Sequence, residues 1–387
     1  MAEWKTVRLG EIVKTNQSTY SPKENWQFVN YLDTGNITMN KIDEIQNINT
    51  AKDKLPSRAR RKVKTNSIIY STVRPNQLHY GIIKKQPDNF LVSTGFTVID
   101  VNYDKAVPDF IYYALTKQEV TEQLQAIAEQ SVSAYPSLKP SDIENLELML
   151  PDKKTQERIV AILRSIDKKI KENNAINNNL EQQAQAIYQQ MFIDNARSNW
   201  AEGTLSDIAD ITMGQSPSGS SYNEDGTGTI FFQGRAEFGF RFPSVRLYTT
   251  EPKRMARSND TLMSVRAPVG DLNVAHTDCC IGRGLAAIHS KSNHQSVVLY
   301  TMFSLKKQLD VFNGEGTVFG SINRNSLNDM PILIPSDDIL DEFERIVAPM
   351  DLTIRNNYDE NCRLQDIRDT LLPRLMSGEL DVSDIDI

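Results

Sequence analysis

The chain has 387 residues, 39% of them hydrophobic and 24% charged, with a net charge of -7; this excludes a disordered or fibrous protein and sets an expectation of two or three globular units. No stretch approaches the ~18 apolar residues of a membrane span, and Met1-Ala2-Glu3-Trp4-Lys5 has no apolar core behind its charges, so a cytoplasmic protein with no membrane partner is expected. An acidic balance argues against coating DNA through overall basicity and leaves local clusters to decide.

Lys52, Lys54, Arg58, Arg60, Arg61, Lys62 and Lys64 crowd one stretch opposed only by Asp53. A solvated loop and a phosphate-binding face both fit it. Residues 67–73 and 90–101 read as strands, and residues 106–128 as a helix. The same pattern returns later, with a strand at 261–265 and a helix at 295–312, so each part is α+β. Three cysteines, Cys279, Cys280 and Cys362, offer neither a disulfide framework nor metal-ligand spacing.

The second half echoes the first. Trp4 with Leu9-Gly10-Glu11-Ile12 returns as Trp200 with Leu205-Ser206-Asp207-Ile208. Asn66 through Pro75 is answered by Asn259 through Pro268, and in that alignment Arg60, Arg61 and Lys64 fall on Lys253, Arg254 and Arg257. Ser93-Thr94-Gly95-Phe96 returns as Gly282-Arg283-Gly284-Leu285, and Leu138 through Pro151 as Ile322 through Pro335.

After each such proline comes a heptad stripe: Leu163, Ile166, Ile170, Asn173, Asn177, Leu180, Ala184, Ile187 and Met191, then Val347, Met350, Ile354, Asn357, Asn361, Leu364, Arg368, Leu371 and Leu375. Each seam carries two asparagines one turn apart. A polar core residue costs stability but fixes register, since an asparagine facing leucine is left unpaired. Antiparallel pairing about a pseudo-twofold axis sets Asn173 against Asn361 and Asn177 against Asn357. Arg368 then lies opposite Ile166 and is expected to turn its charge out to water. At ~1.5 Å per residue the stripe makes a rod of roughly 43 Å, trimmed in the second copy by Pro349 and Pro373. Such a rod suits half-sites about one DNA turn, ~34 to 36 Å, apart.

Two β-rich parts, each followed by a helix, with Leu-x-Leu-x-Leu-Pro leading into Gln156-Glu157-Arg158-Ile159-Val160, resemble the specificity subunits of type I restriction-modification systems. Gly214-Gln215-Ser216-Pro217-Ser218, Gly282-Arg283-Gly284-Leu285-Ala286-Ala287-Ile288 and Leu371 through Leu380 extend the resemblance over almost the whole chain. It implies an α+β fold with two pseudo-repeated globular target recognition domains separated by two long antiparallel coiled-coil helices. The expected boundaries are 1–155 for the first domain, 156–196 for the central helix, 197–338 for the second domain and 339–387 for the C-terminal helix. It further implies a non-catalytic subunit that binds double-stranded DNA at a bipartite site and docks two methyltransferase subunits, to which two restriction subunits can be added. No cofactor is expected in this chain; S-adenosylmethionine belongs to the methyltransferase partner, and ATP and Mg to the restriction partner. One departure is that Glu344-Arg345-Ile346-Val347 echoes Glu157-Arg158-Ile159-Val160 three residues late, without the preceding glutamine.

Catalytic matches are poor. Phe312-Asn313-Gly314-Glu315-Gly316 imitates an adenine-methyltransferase loop without a surrounding strand-to-helix unit and reads as a turn. Pro151-Asp152 with Asp167-Lys168-Lys169 imitates a Mg²⁺-dependent nuclease, but the second copy has Ser336 and Thr353 in place of Asp152 and Lys169. His79, His276, His289 and His294 lack metal spacing. A nucleic-acid enzyme and a coiled-coil scaffold are the competing classes.

Base readout uses Arg or Lys on guanine and Asn or Gln on adenine, while other cations hold phosphates. The DNA-binding candidates are Arg58, Arg60, Arg61, Lys62, Lys64, Arg74, Asn76, Gln77 and Ser133 in the first part. In the second they are Gln233, Arg235, Arg254, Arg257, Arg266, Arg283 and Asn323. Arg74 and Arg266 equally fit a bracing role beside a carboxylate.

Overall fold

The computed structural model describes residues 4–131, 136–314, 320–383 and 385. They form two compact units, Met1–Lys171 with Asn361–Ile387, and Glu172–Glu360.

In the first unit, Phe28–Leu32 lies between Gln46–Asn49 and a parallel neighbour, Phe90–Ser93, which pairs in turn with Ala59–Lys62. A second sheet runs Val13–Thr15, Phe96–Val101, Ile68–Ser71 and Tyr80–Ile82, all antiparallel. Ile68, Ile69 and Tyr70 are all buried, because this strand is covered on both faces. The second unit repeats the plan. Leu247–Thr249, Thr229–Phe232, Cys279–Ile281 and Met255–Ala256 form one sheet, extended by Tyr222–Asn223 and parallel only at Thr229–Phe232/Cys279–Ile281. Ala209–Met213, Leu285–Ser290, Thr261–Ser264 and Leu272–Val274 form the other. The helix expected over residues 106–128 is two, Pro108–Leu115 and Gln118–Glu129; its counterpart is Gln295–Ser304 followed by the short helix Lys306–Leu309.

A central helix, Lys153–Tyr188, starts where the Asp152 carboxylate accepts hydrogen bonds from Thr155 N at 3.0 Å and Thr155 Oγ1 at 2.8 Å. The C-terminal helix, Asp337–Ser377, opens on two acidic residues that suit its positive end. Neither Pro349 nor Pro373 trims it; the helix runs through both. It stops at Gly378, where φ is +78° and an added Cβ would sit 2.6 Å from Trp4 Nε1. Both conditions demand glycine.

Every position of both heptad stripes is buried or half-buried. Within the second unit the helices run antiparallel: Tyr188 packs on Phe343, and Asn357 bonds Asn177. Within the first unit Leu163 shares a core with Leu371, Leu375 and Met376, in the same antiparallel sense. Among the described residues no helix is long and apolar enough to cross a membrane.

Candidate nucleic-acid interface

Strand register identifies equivalent residues. Val92 pairs with Leu32 on one side and Arg61 on the other. Ile281 pairs with Phe232 on one side, and its N–H bonds the Arg254 carbonyl at 2.9 Å on the other. Arg61 and Arg254 therefore occupy one position of a duplicated sheet, in agreement with the sequence echo. Neither guanidinium has a carboxylate partner among the described residues. Arg61 is half-buried, its Nε is enclosed without a hydrogen-bond partner, and burial pulls its pKa below the usual value. Water is being kept from a cation that no anion among the described residues compensates, a state a bound anion relieves.

The rest of the first basic cluster divides. Lys62 is held by Glu24 and lies 5.1 Å from the Trp26 ring centre; its hydrogen bond keeps the Glu24 carboxyl below its ordinary range. Lys64 pairs with Asp100 at 3.4 Å. Arg58 is exposed near Asp33. Burial pushes the Asp33 pKa up, but hydrogen bonds from Thr34 N (2.9 Å), Tyr31 Oη (3.0 Å) and Ser93 outweigh it and leave the carboxyl below its usual value. Arg60 is half-buried beside Arg61, and Asn76 and Gln77 are exposed on the turn Pro75–Gln77. Arg74 is exposed with φ +49°. Ser133 lies outside the described residues.

In the second unit, three loops meet on glycine. A Cβ on Gly214 would fall 2.1 Å from the Gly282 carbonyl, and one on Gly284 would fall 2.9 Å from that of Gln233. Gly284 N donates to Gln233 O at 3.2 Å, and Val265 N to Gly284 O at 2.9 Å. Gln233, Arg266 and Arg283 are thereby gathered, all exposed and without side-chain partners among the described residues. Other candidates have protein partners: Arg235 pairs with Asp271 at 2.7 Å, Arg257 lies 3.2 Å from His289, and Asn323 accepts Ser326 N at 2.9 Å as a helix cap. Gln215, exposed beside Gly214, and Thr94, beside Gly95, were not among the sequence candidates. The signals were the echo of Gly95 in Gly284 for Thr94, and for Gln215 its place in the Gly214-Gln215-Ser216-Pro217-Ser218 motif.

The helices carry a second polar system. Tyr113 donates to Asp167 at 2.6 Å, and Tyr300 to Asp351 at 2.9 Å, the same pair in each repeat. The cation differs. In the first unit it is Arg368, 3.4 Å from Asp167 and also bonded to Asp369, with only 22% of its side chain exposed. The expectation that Arg368 turns out to water is thus corrected: its place opposite Asp167 offers carboxylates that bulk water would have to replace. In the second unit the cation is Arg241, 4% exposed, which joins Asp351 and Glu181 at 2.9 Å each and Tyr300 at 3.2 Å. Asn173 bonds Glu360 at 2.7 Å, and Asn361 is buried.

Residues 1–182 match the model of the type I restriction modification DNA specificity domain. The chain is 26% identical to the type I restriction enzyme HindI specificity subunit of Haemophilus influenzae, over 98% of this chain and all of that one. It is 30% identical to the HsdS subunit from Thermoanaerobacter tengcongensis, over 97% of each chain, with a TM-score of 0.43. The chain belongs to the type I restriction-modification specificity subunits. The type I S subunit from M. genitalium, 16% identical over 99% of this chain and 97% of its own, shares the fold with a TM-score of 0.62.

Specificity subunits are the non-catalytic DNA-recognition members of their complexes and work with methyltransferase and restriction subunits. The enzyme-like matches here have structural duties. Asp152 caps the central helix, and its hydrogen bonds from Thr155 hold its carboxyl below the ordinary range. Asp167 serves Tyr113 and Arg368. Asn313 Oδ1 accepts Val269 N at 2.6 Å, while Glu315 and Gly316 lie outside the described residues. His276, His289 and His294 pair with Asp359, Asp260 and Asp341, and His79 contacts the Ile37 carbonyl. Among the described residues no cluster of His, Cys, Asp and Glu is arranged to hold a metal ion.

Proposed function

We propose that this specificity subunit reads a bipartite DNA site, one half through each globular part, 1–155 and 197–338, in the cytoplasm. The observation that carries this is the duplicated sheet with an arginine, Arg61 and Arg254, at one register position in both copies and without a carboxylate partner among the described residues. Duplication of the reading surface implies two contacts, and unlike side chains around it imply two different half-sites. Arg61 and Arg254 hold phosphates; Arg58, Arg60, Asn76, Gln77, Gln233, Arg266 and Arg283, exposed or half-buried, contact base edges or backbone, and Arg74 either joins them or braces the fold. Lys62, Lys64, Arg235, Arg257 and Asn323 contribute less, because binding DNA would first break their protein contacts.

The helices set the spacer and dock two methyltransferase subunits, which bring S-adenosylmethionine; restriction subunits, when present, bring ATP and Mg. Support for a spacer set by the helices comes from their length, Lys153–Tyr188 and Asp337–Ser377. Single-molecule sequencing of DNA methylated by the complex tests the reading. Two short motifs at a fixed spacing are expected, and one continuous motif would overturn it.

A further inference from the structure

Resting on that reading, we propose that Gln233 and Arg283 act together as the base-reading pair for the half-site of the second unit. Both sit at the end of the parallel strand pair of their sheet, where Phe232 runs beside Ile281. Gln233 follows Phe232 directly, and Arg283 stands between two glycines that press on the Gln233 backbone. A Cβ on Gly282 would lie 2.8 Å from the Gln233 carbonyl, and one on Gly284 2.9 Å from the same atom. Gly282 N donates to Phe232 O at 2.8 Å, and Arg283 N to Ser216 Oγ at 3.2 Å. Backbone is thus fixed on both sides of Arg283, while the two side chains are exposed and make no bond to the described protein. A fixed backbone with free donors is what base readout needs, since the cost of ordering falls on two side chains only.

The first unit makes the contrast. By register its equivalents are Asp33 and Thr94, after Leu32 and Val92. Asp33 is occupied by Tyr31 and Thr34 and caps the turn Thr34–Asn36, and Thr94 carries no charge. One scaffold thus presents an amide with an arginine in one copy and a satisfied carboxylate with a hydroxyl in the other. A glutamine amide matches adenine N6 and N7, and a guanidinium matches guanine O6 and N7. The second half-site should therefore contain an adenine and a guanine read by these two side chains.

The test uses the whole subunit with its methyltransferase partner, mapping methylated motifs for the wild type and for Gln233→Ala, Arg283→Ala and Gln233→Glu. Each alanine variant should relax one position of one half-site, cutting discrimination there about tenfold or more, and leave the other half-site unchanged. Gln233→Glu should move preference from adenine toward cytosine, whose N4 donates to a carboxylate. An unchanged motif, or uniformly weaker methylation with the motif intact, would overturn the pair as base readers while leaving the bipartite reading in place. A wild-type complex that marks no split motif would instead remove the reading itself.

Discussion

Asn357 donates from Nδ2 to Oδ1 of Asn177 at 2.8 Å, inside a seam otherwise lined by Leu180, Ile354 and their neighbours. Replacing Asn357 with alanine leaves Asn177, 3% exposed, with an unmet acceptor, at a cost of about 1–3 kcal/mol. Replacing both with leucine should restore most of that stability while weakening control of register. Urea denaturation of the two single variants and the double variant checks this. A coupling energy near zero would show that the two amides do not act as a pair.

The seam was legible because a heptad pattern is local: each position depends on residues three or four away. The repeat was legible for a related reason, since its echoes lie in strands and glycines that the fold cannot change cheaply. The inward place of Arg368 was not legible because Asp167, the carboxylate that holds it in the seam beside Asp369, comes from the other long helix, and no local pattern announces it. Arg241 escaped notice altogether, as the first copy supplies its cation from a different element. Of the candidate interface, Gln233, Arg266 and Arg283 could be named singly, but their gathering around Gly214, Gly282 and Gly284 could not. Which cations are already paired could not, because Glu24, Asp100 and Asp271 are remote in sequence from Lys62, Lys64 and Arg235.

Arg241 and Arg368 should differ in weight. Arg241→Met strands Glu181 and Asp351 near one another; burial already raises the Glu181 pKa even with the arginine present. Loss of one partner from such a buried network costs about 3–5 kcal/mol. Arg368→Leu leaves Asp167 its Tyr113 hydrogen bond and partial contact with water, so its cost should be nearer to about 1 kcal/mol. Equal losses in chemical denaturation would contradict this ranking.

Gln156 and Glu344 solve one problem from different positions. Gln156 Oε1 accepts Val107 N at 2.8 Å before helix Pro108–Leu115, and the Glu344 carboxylate accepts Ser296 N at 3.1 Å and Val297 N at 3.2 Å in helix Gln295–Ser304. This accounts for the missing glutamine and the late echo. Burial raises the Glu344 pKa, although the two N–H groups oppose the shift. A carboxyl with a raised folded pKa binds protons more tightly folded than unfolded. Its contribution is therefore complete below the ordinary glutamate value of 4.5 and is lost as pH rises through the folded value. Glu344→Gln abolishes that titration. The melting temperature of the variant relative to wild type should fall as pH is lowered from neutral toward 4.5; a difference independent of pH would refute the assignment.

Arg254 and Arg61, as phosphate ligands, should carry no sequence information. Alanine at either position is expected to weaken binding equally for cognate and unrelated duplexes, because the phosphate is common to all of them. Each lost contact should also lower the slope of log K against log salt by about 0.9. Arg254 is exposed, so its replacement leaves the fold intact and isolates the electrostatic effect. Arg61 is half-buried, and its alanine variant removes packed stem as well as charge, which makes Arg61→Lys the cleaner partner: it keeps the charge and should preserve the salt slope. Titrations at several salt concentrations, on cognate and scrambled DNA, separate the outcomes. If either alanine variant discriminated less between the two duplexes while keeping the wild-type slope, that arginine would be reading bases, and its place at the shared register position would have to be explained by specificity.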